Sequence, residues 1–338
     1  MTRPLLAITM GDPAGVGPEV VLKALAEPDV SAGCRPLVVG SAAMLERTRG
    51  WAGVDLAIRA VPEPEDAAGE PGTVDVLDLG NVDADRLPLG ELTAEAGGAA
   101  MAYVLRAFDL ACAGRVAGMV TAPINKEATT LAGYPDLGHM DLFERITGIK
   151  DHATMLATGK LRVVHLTTHH SLAEACARVT RERVLSQIRL THRSFESWGW
   201  SRPAIGVAAL NPHGGEGGLL GREEIEAIAP AVAAAEAEGI DARGPYPADS
   251  LFAQALDGRY AAVLAMYHDQ GHIAIKVHDF ERSVSVALGL PFLRTSVDHG
   301  TAFDIAGRGV ADPISMVEAI RVAIDLAVGR PLASGASA

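Results

Sequence analysis

The chain has 338 residues, of which 49% are hydrophobic and 21% charged, with a formal net charge of −13. These proportions exclude global disorder, and the length exceeds one average core, so two lobes or one large α/β domain are expected. The acidic balance excludes a general nucleic-acid binder, which needs a positive field to release counterions from phosphate.

Short apolar runs predict strands at 4–10, 36–40, 74–79, 118–121, 161–168, 204–210 and 261–267. Amphipathic segments predict helices at 18–26 and near 95–113, 181–197, 221–238 and 313–328, with Pro230 placed to kink the fourth. Strand–helix alternation of this kind implies a mainly parallel sheet covered on both faces. The Pro- and acid-rich stretch 61–72 reads as a surface excursion, and the small polar tail 331–338 is expected to fray. Cys34, Cys112 and Cys176 form no CxxC pair and fit a reducing cytoplasm. No apolar run reaches the length of a membrane span, and the opening segment lacks a signal-peptide layout.

All eleven histidines lie between His139 and His299. Three apolar strands run into one each: LRVVHLTTH ends at His169, AIGVAALNPH at His213, and AAVLAMYHD carries His268. Ligands bind beyond the carboxyl ends of strands in open α/β sheets. Three protein ligands and one open position make a catalytic metal site, so these imidazoles are candidate ligands if their strands lie close together. His272, four residues past His268, is a candidate supporting group. His152, His165, His192 and His278 read as structural or exposed.

Three glycine loops follow strands. GDPAGVGPE (11–19) suits either an anion at a helix N-terminus or a purely structural turn. NPHGGEGGLLGREE (211–224) is so rich in glycine that a loop wrapping a ligand backbone-first is expected, which makes Gly214, Gly215, Gly217 and Gly218 candidate cofactor contacts. TSVDHGTAFDIAGRG (295–309) adds Asp298 and His299 to that set, with Asp304 nearby. Lys126 in TAPINKEA suits an anion contact or a solvated helix start.

Over nearly its full length the chain resembles the 4-hydroxythreonine-4-phosphate dehydrogenase (PdxA) family. The resemblance is carried in order by ITMGDPAGVGPE, TAPINKEA, GHMDLF, TTHHSL, LNPHGGEGG, GPYPAD, MYHDQGH, GLPFLRTSVDHGTA and AGRGVAD. It implies a two-domain α/β/α fold like that of isocitrate and isopropylmalate dehydrogenases, with a cleft active site. Residues 1–130 plus about 300–338 would form one domain and about 131–299 the other. It implies a cytoplasmic homodimer whose partner subunit completes the site, and places the family's metal ligands on His169, His213 and His268. Substrate contacts fall on His139, Met140, Lys276, Ser285 and Arg294. Lys276, Asp249 and Asp269 are the expected catalytic groups.

The implied reaction is oxidation of 4-phosphohydroxy-L-threonine by NAD or NADP with one divalent ion (zinc, magnesium or cobalt). The β-keto acid formed would decarboxylate to 3-amino-2-oxopropyl phosphate, a step of pyridoxine biosynthesis. Two departures bear on the substrate. The family's Gly-His-Thr-Glu reads Gly138-His139-Met140-Asp141, and methionine lacks the hydroxyl donor of threonine. A substrate-contacting asparagine is replaced by Ser285. The same chemistry on D-threonate or D-erythronate 4-phosphate, or on a cis-dihydrodiol dicarboxylate, is therefore an alternative. A metal- and nucleotide-binding regulator without catalysis is an alternative of another class.

Overall fold

The computed structural model describes residues 3–136 and 138–328; the tail expected to fray lies outside them. The chain divides into two compact units, Met1–Lys150 with Leu290–Ala327, and Asp151–Gly289.

In the first unit the chain forms β1 (Leu5–Thr9), α1 (Gly17–Leu25), α2 (Pro28–Gly33), β2 (Arg35–Gly40), α3 (Ala42–Ala52), β3 (Ala57–Val61), β4 (Thr73–Asp78), α4 (Ala94–Cys112), β5 (Gly118–Thr121), α5 (Lys126–Leu131) and α6 (His139–Thr147). The second unit holds β6 (Ala153–Thr158), β7 (Leu161–His165), α7 (Leu172–Ala177), α8 (Arg181–Ser197), β8 (Ile205–Ala208), α9 (Ala229–Ala237), β9 (Ala242–Tyr246), α10 (Ala248–Leu256), β10 (Ala262–Ala265), α11 (His268–His278) and β11 (Val284–Leu288). The chain then returns to the first unit with β12 (Arg294–Val297) and α12 (Ile314–Ala327).

The strands of the first unit run β3-β4-β2-β1-β5-β12, and every pair is parallel. β1 is buried along its whole length, as a strand covered on both faces must be. From β1 the chain moves outward to β2 on one side and later to β5 on the other. The β1/β5 boundary is therefore the point where strand order reverses, the place where such sheets bind ligands.

The second unit runs β11-β6-β7-β10-β8-β9. β7, β10, β8 and β9 are parallel, while β6 runs antiparallel to both its neighbours, β11 and β7. Its core joins Leu161, Val163, Val263 and Ala265 to Leu251, Tyr260 and Ile275 from the covering elements.

The mixed α/β architecture expected from strand–helix alternation is present. The expected helix at 221–238 departs in detail: a π-helical turn at Glu224–Ile228 precedes α9. Pro230 falls in the first turn of α9, directly behind the π-helical turn, so helical backbone precedes it. No helix of the described residues is long and apolar enough to cross a membrane.

Candidate active site

At the reversal point of the first unit three loops meet. Asp12 N–H donates to the Pro123 carbonyl at 2.9 Å and Val16 N–H to the Thr301 carbonyl at 2.9 Å. Asn125 Nδ2 donates to Thr301 Oγ1 at 3.4 Å. The loop after β1 is wholly buried. Asp12 Oδ1 accepts from Ala14 N–H at 2.8 Å, but Oδ2 has no partner among the described residues. Burial pushes this carboxyl up to about 6, against a smaller lowering by the Ala14 amide.

The sign of that shift gives a test. The native state holds the Asp12 proton more tightly than the unfolded chain does. Stability from this group is therefore full below about pH 4 and is lost as pH rises toward about 6. Asp12→Asn is expected to flatten this part of the urea-denaturation profile, by at most about 3 kcal/mol between pH 4 and pH 7. Profiles that superimpose for wild type and variant would show that Asp12 is not buried as an unpartnered acid.

Arg294 opens β12, and only 5% of its surface is exposed. Its Nε and Nη2 donate to Thr121 Oγ1 at 3.1 and 2.6 Å. Among the described residues no carboxylate pairs with it, and burial pushes its pKa down to about 10. His139 begins α6. Its Nε2 is buried without a partner among the described residues, and burial, then the Arg294 charge, hold its pKa well below the ordinary histidine range. A buried cation beside a neutral imidazole with spare hydrogen-bonding capacity is a receptor for an anion. Met140, half-buried in the first turn of α6, adds no polar group. Asp298 and His299 follow β12 at the exposed surface; Asp298 N–H donates to Ser315 Oγ at 3.4 Å and His299 Nδ1 to the Gly300 carbonyl at 2.9 Å.

In the second unit, His169, His268 and His213 follow β7, β10 and β8, three adjacent parallel strands. The strand exits are tied together. Thr167 Oγ1 donates to the Met266 carbonyl at 2.9 Å. Gln270 accepts from Met266 N–H at 2.7 Å and donates to the Ala209 carbonyl at 2.8 Å. His268 stands in the first turn of α11. Its ring stacks on His272 at 3.5 Å between centroids and lies 6.2 Å from the ring of His169. His268 Nδ1 meets the Asp269 carboxylate at 2.8 Å. A carboxylate only accepts, so Nδ1 donates, and in the neutral imidazole this leaves the lone pair on Nε2. His213 has the same arrangement with Glu216, at 2.9 Å. This pattern, a carboxylate fixing an imidazole through its second nitrogen, is that of metal-binding histidines. His169 and His268 come together, but among the described residues of one chain no group of three metal-ligating side chains forms.

Behind these rings His165 is buried and neutral, its pKa lowered to about 3 by burial and then by His272 and His268. Lys276 sits in the last turn of α11 with Nζ 4.8 Å from the ring centre of Phe280. Ser285 is half-buried on β11, paired in register with Leu156, and Asp249 is exposed in the first turn of α10. Sequence reading did not single out Asp12, Thr121, Glu216 or Glu224. Asp12, Thr121 and Glu224 are ordinary polar residues whose importance comes from burial or from a partner distant in sequence, and Glu216 matters through the turn that brings it onto His213 three residues earlier.

The family described as Pyridoxal phosphate biosynthetic protein PdxA matches residues 32–323. The chain is 52% identical over 321 residues, 95% of its own length and 96% of the relative's, to a protein of Symbiobacterium thermophilum named "Putative D-threonate 4-phosphate dehydrogenase". Among solved structures it is similar to a 4-hydroxythreonine-4-phosphate dehydrogenase from Burkholderia phymatum, with 46% identity, a TM-score of 0.90 and coverage of 96% of this chain and 99% of that one. A 4-hydroxythreonine-4-phosphate dehydrogenase from Klebsiella pneumoniae gives 44%, 0.89, 96% and 100%. With the α/β fold, these relatives define a dehydrogenase, an oxidoreductase acting on a CH–OH group. The chain belongs to the PdxA family.

Proposed function

We propose that the protein oxidises the secondary alcohol of a 4-phosphorylated hydroxy acid, with D-threonate 4-phosphate as its preferred substrate and NAD or NADP as hydride acceptor. The observation that carries this reading is Arg294, a buried cation that among the described residues has no carboxylate partner, next to His139, whose Nε2 is unpartnered among the same residues. Together they suit a phosphate or carboxylate, and the planar guanidinium favours two-point contact. Met140 and Ser285 replace polar groups that the family resemblance assigns to the substrate. The name of the relative at 52% identity points the same way. A second reading, 4-phosphohydroxy-L-threonine, is favoured by the names of the structures at 44–46% identity.

His169, His213 and His268 would hold one divalent ion, for which their imidazole donors, and the carboxylates set against His213 and His268, are suited. When bound, that ion would acidify the substrate hydroxyl and stabilise negative charge on its oxygen. The hydroxyl loses its proton and the carbon its hydride to NAD(P)+, giving a β-keto acid, NAD(P)H and a proton. Loss of carbon dioxide follows, the C–C bonding pair passing to the α-carbon. Lys276 and Asp269, both on α11, would exchange protons with the substrate, and Asp249 is a further candidate. The glycines at 214, 215, 217 and 218, with Asp298 and His299, are the proposed contacts for the nucleotide.

A second copy of the chain supplies what one chain lacks. α11 carries His268 together with Ile273 and Val277, and Phe280 follows two residues past its end; the three apolar residues are 59%, 82% and 70% exposed. Such an apolar stripe on a ligand-bearing helix suits a homodimer in which the partner completes the set of three histidines.

Reduction of NAD(P)+ followed by absorbance tests the assignment on D-threonate 4-phosphate, D-erythronate 4-phosphate, 4-phosphohydroxy-L-threonine and a cis-dihydrodiol dicarboxylate. The expected order places D-threonate 4-phosphate first, by roughly tenfold in kcat/KM over 4-phosphohydroxy-L-threonine, the scale of one altered contact. A reversed order would assign the protein to the second reading. Absence of turnover on all four, with tight metal binding, would mark a regulator.

A further inference from the structure

The loop after β8 runs against the handedness of its amino acids. His213 to Gly218 all have positive φ, at 52°, 68°, 77°, 48°, 65° and 99°. From His213 to Gly217 ψ stays between 3° and 48°, so these five residues form a turn of left-handed helix. L side chains crowd the following carbonyl in this conformation, and runs of it are rare. Two members, His213 and Glu216, are nevertheless L residues, so the surrounding structure must hold the turn in place.

Glu224 is the group that does so. It is buried, and among the described residues no cation pairs with it. Its Oε1 accepts from Leu210 N–H at 2.8 Å and Asn211 N–H at 2.7 Å, where β8 gives way to the loop. Its Oε2 accepts from Asn211 Nδ2 at 2.9 Å. The same oxygen fills the space beside Gly215, where an added Cβ would lie only 2.7 Å from it. Three donors converge on one buried carboxylate, and the backbone turns left-handed within two residues of the last of them.

We infer that Glu224 is a positioning residue: it latches the left-handed turn so that His213 is presented with Nδ1 held by Glu216 and Nε2 free to bind a cation. This rests on the reading of His213 as a metal ligand. The latch itself acts on the backbone and touches neither the ion nor the substrate.

Calorimetric titration of the full-length protein with Co2+, read together with the visible spectrum of the bound ion, tests the inference through three variants. Glu224→Gln keeps the shape but turns an amide NH2 toward Asn211 Nδ2. Gly217→Ala places a methyl group in open space at φ +65°, so it challenges only the handedness of the turn. His213→Ala removes the ligand. Both Glu224→Gln and Gly217→Ala are expected to keep wild-type circular dichroism, weaken Co2+ binding by 10–100-fold and change its spectrum, the scale seen when support for a ligand is lost. Wild-type affinity and spectrum in these two, with binding lost in His213→Ala, would overturn the latch alone. Wild-type binding in His213→Ala would overturn the ligand assignment and the latch with it.

Discussion

Replacing Arg294 by methionine is expected to lower kcat/KM for a phosphorylated substrate by on the order of 10²-fold or more while leaving the free protein as stable as before, or more so. The two effects have one cause. Among the described residues Arg294 is buried with only the Thr121 hydroxyl as partner, and the depression of its pKa to about 10 reflects desolvation. A buried cation in that condition costs the empty protein free energy, and an apolar residue of similar length often relieves the cost. An anionic substrate supplies the missing charge through short, charge-assisted hydrogen bonds, and losing one partner of such a pair costs about 2–5 kcal/mol. Thermal denaturation with and without inorganic phosphate separates the effects. Phosphate should raise the Tm of the wild type and leave that of Arg294→Met unchanged. A variant that unfolds much earlier without ligand, yet responds to phosphate as the wild type does, would make Arg294 a structural residue.

Gly271→Ala should damage both stability and activity. An added Cβ at this position of α11 would lie 2.2 Å from His165 Nε2 and 2.7 Å from Val163 Cγ1. His165 is itself buried on β7, with its ring 4.5 Å from that of His272, so it has nowhere to go. The helix must back away from the sheet. Overpacking of this kind costs about 1–3 kcal/mol, occasionally more. α11 also carries His268, His272 and Lys276, and a displacement near 1 Å in reacting groups can cost about 10²-fold in rate. The explanation can be checked by making room: His165→Ala in the Gly271→Ala background should recover stability, with a coupling of roughly 1–2 kcal/mol in a denaturation cycle. Additive losses would remove His165 as the cause of the close approach.

Much of this organisation was legible in the residues. The strands beginning near positions 4, 36, 118, 204 and 261 are apolar because they are covered on both faces, and burial of that kind leaves a direct trace in composition. The three strand-end histidines do follow neighbouring strands. β3, β6, β9, β11 and β12 left a weaker trace. β3 and β9 lie at the far ends of their strand orders with mostly exposed or half-exposed residues, so burial wrote no apolar run into them. α11 escaped notice because its first turn reads HDQGH, polar residues chosen for chemistry over helix propensity. Burial of Asp12, Arg294 and Glu224 could not be foreseen, since a charged residue is assumed to be solvated until its neighbours are known.

The abundance of glycine after β8 first suggested a backbone wrapped around a ligand. Chirality gives a more economical reason. Glycine, being achiral, is the only encoded residue that enters a mirror-image turn without steric penalty, and four of the six residues from His213 to Gly218 are glycine. The composition of this segment thus follows from the direction in which it coils, whatever it binds. By the same logic a D-alanine introduced at Gly214 or Gly217 by chemical synthesis would suit the loop, where its L enantiomer would not.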